Sequence, residues 1–351
     1  MGDRRSFIAG MLAAGLIPKP TWADVGSPAF LSAGKKPDGS FVLCGLCAIG
    51  QITFEIPLPG RGHAAAAHPI LAEAVAFARR PGTFAIVLDC TTGLEKARLS
   101  APAGRHFYGH GVFSADGDLL FTTENDFNAA RGVIGVWDAR RRYKRVGEFA
   151  SGGVGPHDLK LMPDEHFLVV ANGGIETHPE TGRTKLNIPT MRPNLCYVGL
   201  DGQIRDRIEL DDHHRKNSIR HLAISPDDTV AFAMQWQGDM TEDLPLLGVH
   251  NLVAGTIGFA EGASVHLMNG YLGSVAISAD GRALATTSPR SGVLQIFHNR
   301  ILMATNLLAD VCGVEAMATG FFVTTGTGLV IPPSGNELVH PISWDNHLIA
   351  I

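Results

Sequence analysis

Four histidines fall at one point of a recurring unit: His63 in GRGHAAAAHP, His110 in GHGVFSADG, His157 in GPHDLKLMPD and His221 in SIRHLAISPDD. Neutral imidazoles converging on one place suit a borderline transition metal such as iron, copper or zinc. Each ring must be unprotonated to ligate, so affinity should fall as pH drops through roughly 6.5. Glu315, at the corresponding point of the weaker copy GVEAMATGFFVTTGTG, adds a carboxylate to the expected metal set. The stretches beside these positions carry Glu124, Asn125, Asn172, His178, Arg192, Arg220, Gln235 and Trp236, the residues expected to face a ligand or partner. Taken singly, each histidine reads as structural, bonding a neighbouring strand. Repetition on successive units is what a purely structural role does not require. No catalytic residue emerges. GxSxG, HExxH and a phosphate-cradling glycine loop are absent in usable context, and Ser114, Ser225 and Ser278 sit beside turns, away from the histidines.

The elements that must position these residues follow from the repeat. Each unit opens with a short apolar strand and turns at Asp116-Gly117, Pro163-Asp164, Asp227-Asp228 or Asp280-Gly281. It returns through a second apolar strand such as LLFTT, FLVVAN, TVAFAMQ or ALATTS. A variable loop and two further strands complete it. Four-stranded units of about 40–50 residues are propeller blades, and recurrence of the whole unit favours that fold over a β-sandwich. Unit starts at His63, His110, His157, His221, Ser274 and Glu315, with one more blade closed by pairing of the N- and C-terminal strands, predict an all-β, seven-bladed propeller. At the C-terminus WDNHLIAI reads as a strand left over, and HAAAAHPILAEAVAFA also permits a local helix. In a propeller the first strand of every blade lines the central channel. Unit starts and the loops after second strands therefore share one mouth.

Composition narrows the partners. Of 351 residues 45% are hydrophobic and 18% charged, with a net charge of −5, so the chain is globular and offers no basic stripe for nucleic acid. MGDRRSFIAGMLAAGLIPKPTWA, residues 1–23, resembles a twin-arginine export signal, with Arg4 and Arg5 ahead of an apolar run and cleavage expected after Ala23. Phe7 to Ile17 falls short of the roughly 20 residues of a membrane span. Residues 24–351 are expected as a single periplasmic propeller domain without a membrane anchor. Of the cysteines Cys44, Cys47, Cys90, Cys196 and Cys312, the pair in CGLC lies in an apolar strand and reads as buried thiols.

GRGHAAAAHP with EAVAFARRPGTF, then GHGVFSADG, GPHDLKLMPD, VANGGIETHPETGRTKLNIPTMRPNL, SIRHLAISPDD and WDNHL resemble the bacterial family called domain of unknown function 1513, from about residue 36 to the C-terminus. The resemblance implies an exported, propeller-like protein whose genes lie beside imelysin-type and dihaem-peroxidase-like genes in iron-responsive clusters. It implies a role in iron handling with an imelysin-like partner, and it assigns no catalytic residue. SIRHLAISPDD alone also resembles a strand of lactonase-type propellers. The expectation is thus a propeller that binds iron or copper at a histidine-rich mouth. Its rivals are an interaction platform and a lactonase-like or metal-assisted hydrolase.

Overall fold

The turns show why these residues make strands in sets of four. In three of them a Ser-x-Asp segment folds on itself: Ser114 Oγ donates to Asp116 Oδ1 at 2.6 Å, Ser278 Oγ to Asp280 Oδ1 at 2.5 Å, and Ser225 Oγ to Asp227. The next residue closes the turn, with Gly117, Glu165, Asp228 and Gly281 each donating its N–H to the carbonyl three residues back. All four have positive φ, between 62° and 74°. That conformation suits glycine and strains Glu165 and Asp228. These tight reversals hold Ser114, Ser225 and Ser278 as turn caps.

A computed structural model describes residues 19–79 and 83–351. They form seven antiparallel sheets arranged as the blades of a propeller. Blades 1 to 6 run in chain order and begin with the inner strands Gly62–Ala67, Arg105–Phe113, Pro156–Leu161, Asn217–Ile224, Ser274–Ile277 and Val311–Met317. Blade 7 joins the two chain ends: Phe30–Lys35 pairs with Phe41–Leu46 on one side and with Ser343–Trp344 and Ile349–Ala350 on the other. The C-terminal strand that seemed left over is therefore the innermost strand of the closing blade. The alanine-rich stretch that also permitted a helix forms the strands Gly62–Ala67 and Glu73–Ala78, both within blade 1.

Burial falls outward through each blade. Second strands such as Glu73–Ala78 are buried throughout, whereas the outer strand Ile301–Leu307 is mostly exposed. The core lies between blades: Phe121 and Ile134 of blade 2 pack against Leu159 and Val170 of blade 3, and Val169 and Tyr197 of blade 3 against Phe232 of blade 4. Such face-to-face packing stabilises each sheet only through its neighbours. Cys44 is buried in its strand, and burial pushes its thiol up to about 12, so it stays protonated. Cys47 lies just past the end of that strand and is partly exposed, because the strand stops at Leu46.

Residues 1–18 of the expected export signal lie outside the described residues, as do Arg80, Pro81 and Gly82. The expected cleavage point after Ala23 falls within a 3-10 turn, Trp22–Val25, whose buried Trp22 donates its indole N–H to His68 O at 2.8 Å. No helix among the described residues is long and apolar enough to cross a membrane.

Candidate metal centre

The inner strands share an irregularity that decides where their side chains point. Strand pairing slips between Gly62 and Ala65, Phe107 and Gly111, Pro156 and Asp158, Ile219 and His221, and Val311 and Val314. In blade 7 the C-terminal chain takes five steps from Trp344 to Ile349 while its partner takes three from Gly34 to Leu31. Each slip is a β-bulge, which breaks the two-residue alternation and re-aims a side chain. His63, His110, His157, His221 and His347 all lie in these bulges or at their edge. The inner strand of blade 5 pairs without a slip, and its Ser274 Oγ donates to Val314 O of blade 6 at 3.4 Å. That is the strand-tying role a lone polar residue at a blade start was expected to play.

The bulged histidines meet in the channel. Ring centroids lie 4.5 Å apart for His347 and His63, 5.0 Å for His63 and His110, and 5.1 Å for His110 and His157. The circuit closes at 4.8 Å from His157 to His221 and 4.8 Å from His221 to His347. One nitrogen from each of His63, His110 and His347 lies within 4.8 Å of the others, and the same holds for His110, His157 and His221. A glycine makes room for this: Gly109 has φ of +103°, and a Cβ there would stand 2.6 Å from the His63 ring.

Each of the five channel histidines has one buried ring nitrogen without a hydrogen-bond partner among the described residues: His63 Nδ1, His110 Nε2, His157 Nδ1, His221 Nδ1 and His347 Nε2. Leaving one such atom unsatisfied costs about 1–3 kcal/mol, so five together require an explanation. Four of the rings are held neutral. Burial, then the adjacent His110, pushes His221 down to about 3. His63, His157 and His347 are held well below the ordinary histidine value, first by burial and then by His110, Arg220 and His63 respectively.

Asp158 orients the shared member of the two trios. His110 Nδ1 lies 3.1 Å from Asp158 Oδ1, whose Oδ2 accepts the Leu222 N–H of the next blade at 3.0 Å. Burial alone would raise that carboxyl, but His110 and Lys160 hold it well below the usual carboxylate range. When the His110 ring ligates, this carboxylate would keep its remaining proton on Nδ1 and leave Nε2 to the metal. Carboxylate–imidazole–metal relays are built this way.

Four of the histidines read from the sequence thus meet in the ring. Glu315 sits elsewhere: it lines a cavity of about 230 Å³ with His110, Asp158 and Lys160 at the other side of the ring. The reason is register. In blade 6 the bulge falls at Cys312 and Gly313, so Glu315 lies further along its strand, beside the short turn after Met317. Burial raises its carboxyl.

Of the residues expected to face a ligand, Arg220 and Gln235 line the cavity above the ring. Glu124 belongs to the second strand of blade 2, not to a loop, and is fully buried in a forked pair with Arg145, at 2.6 and 3.0 Å. Asn125, at the end of that strand, donates to Thr177 O and so holds a wall of the cavity. Asn172 ties Ser151 to Asn194, and Trp236 donates to Asp239 O. His178 packs edge-on against Phe127, and exposed Arg192 pairs with Asp212. Sequence reasoning missed His347 and Asp158. The signal for His347 was present: WDNHLIAI matches SIRHLAIS at the His-Leu pair, and the closing blade needed an inner strand.

A family model described as "Protein of unknown function (DUF1513)" matches residues 56–351. Among solved structures, a chain from Kuenenia stuttgartiensis Hydrazine Synthase is similar over 87% of this chain and 94% of that one, at 14% identity and a TM-score of 0.60. This is a likeness of fold alone. No curated protein matches.

Proposed function

This chain belongs to the DUF1513 family, and from its geometry we propose that it binds one transition-metal ion through the imidazoles at the hub of the propeller. The observation that carries the reading is that five histidines meet in one channel, each with a buried ring nitrogen that has no hydrogen-bond partner among the described residues. An all-imidazole set suits copper, iron, nickel or zinc, with Cu(II) bound most tightly at equal availability. A bound zinc would draw its histidine nitrogens to about 2.0–2.1 Å, and the nitrogens of each trio already lie within 4.8 Å of one another. His110 has only Nε2 to offer, because Nδ1 faces Asp158. The two trios share that ring, so the site takes one ion at a time.

The role proposed for this ion is iron or copper handling in the periplasm, after export by the twin-arginine route. An imelysin-like protein is the proposed partner. The arginine pair near the N-terminus and the family resemblance support this part.

Elemental analysis of the purified protein, together with titration of the metal-free form, tests the reading. One equivalent of metal per chain is expected, falling below a tenth in a His110→Ala/His347→Ala variant that still melts cooperatively. Failure of the unaltered protein to take up any of Cu(II), Fe(II), Ni(II) or Zn(II) would sink it.

A further inference from the structure

Above the imidazole ring the channel opens into a cavity of about 480 Å³ lined by Arg61, Arg79, Arg183, Lys185, Arg220 and Arg290. His63, His157 and His221 also line it, each with a buried Nδ1 lacking a partner. The acidic groups at hand are few. Asp310 is in the lining, and burial raises its carboxyl; Asp345 accepts from Arg61 and Arg79, both at 2.7 Å. Arg290 is stacked 4.3 Å over the Tyr271 ring, and Lys185 donates to Gln237. Asp345 offsets part of the charge of Arg61 and Arg79, whereas the neutral partners of Arg290 and Lys185 fix their positions and leave their charge in place. The loop after the second strand of blade 3 supplies Arg183 and Lys185, whereas Arg61 and Arg79 come from blade 1.

The two halves of the channel conflict if only a bare cation binds. Neutral imidazoles bring no negative charge to a divalent ion, and Asp158 contributes one carboxylate at second hand, through His110. Six cationic side chains round the cavity that His63, His157 and His221 line oppose the approach of a free metal ion from that side. They favour an anion, and guanidinium forks match carboxylates in particular. The cations are spread over blades and loops round a cavity far larger than one phosphate, so they fit several separated anionic groups on one molecule. A metal held by protein nitrogens from one side has its remaining positions open to such oxygens.

We propose that this vestibule binds a small polycarboxylate anion that completes the coordination of the ion below it, so that metal is held, and delivered, as a ternary complex. The proposal rests on the metal-binding reading above and names the second ligand of that same site. Calorimetric titration with citrate, with inorganic phosphate as the other arm, tests it on the full protein in metal-free and metal-loaded form. Metal is counted after gel filtration in citrate.

Citrate is expected to bind the metal-free protein, to bind the loaded protein at least ten-fold more tightly, and to leave its metal in place. Phosphate should bind at least ten-fold more weakly than citrate. Lys185→Gln/Arg290→Gln should weaken citrate ten-fold or more while still taking up one equivalent of metal, and Arg290→Gln alone should show an intermediate loss. Metal uptake without citrate binding, removal of the metal by citrate, phosphate binding as tightly as citrate, or a double variant that binds citrate normally would each overturn the proposal. Citrate binding with no metal uptake would instead overturn the metal reading, and with it the ternary complex, while leaving an anion site.

Discussion

His110 shows how one residue serves two neighbours. Its Nδ1 faces Asp158 of the next blade, and its ring is the member shared by both trios of imidazoles. Asp158 in turn receives Leu222 N–H, so a single carboxylate links blades 2, 3 and 4 at the hub. Asp158→Asn retains an oxygen for that backbone N–H but weakens the hold on the His110 proton. Metal affinity should fall 10–100-fold with the fold intact, as measured by competition against a chelator of known affinity and by a thermal melt. Unchanged affinity would remove Asp158 from the site. Neither Asp158 nor His110 stands out as a pair in the sequence. They lie on different strands, and only the packing of blade 2 on blade 3 sets their separation.

At the level of elements, two devices matter: tight turns on one face and bulged inner strands at the hub. The turns were legible because Asp-Gly and its relatives occur at equal offsets from the apolar runs. Glu165 and Asp228 occupy the turn position where Gly117 and Gly281 stand in other blades, with φ of 62° and 64°. Glycine at either site relieves left-handed strain and should raise stability by about 0.5–1 kcal/mol, more for Glu165 than for Asp228. Denaturant melts of Glu165→Gly and Asp228→Gly check this; a loss of stability in both would mean the turns are not strained. The bulges were not legible. A bulge is a slip between two strands, and the amino acids of one strand alone do not record it. This is why Glu315, aligned by sequence with the histidines, lands on the other side of their ring.

The whole molecule bears the cost of gathering neutral histidines at its centre. His63, His157, His221 and His347 have folded-state values depressed below that of the unfolded chain, His221 to about 3. Above about pH 6.5 both states are neutral and the depression costs nothing. Below it the unfolded chain takes up protons that the folded one refuses, so stability falls as pH falls. Each depressed ring adds to that loss as the pH falls through the range in which the unfolded histidines take up protons. The metal-free protein should therefore show a steep drop in Tm over that interval. A flat Tm would mean that the rings titrate normally in the folded state. Closure adds a further dependence, because the strand that seals the ring also carries His347 and the Asp345 that Arg61 and Arg79 clasp.

The order of strands, the count of blades, the closing of the two ends and four of the five ring histidines were all carried by the sequence, because repetition at fixed offsets is a one-dimensional property. Which way each imidazole points, the inclusion of His347, the exclusion of Glu315 and the basic vestibule were decided by the tertiary structure alone. Those depend on slips between paired strands and on contacts between blades distant along the chain, where a residue's type gives no measure of its direction in space.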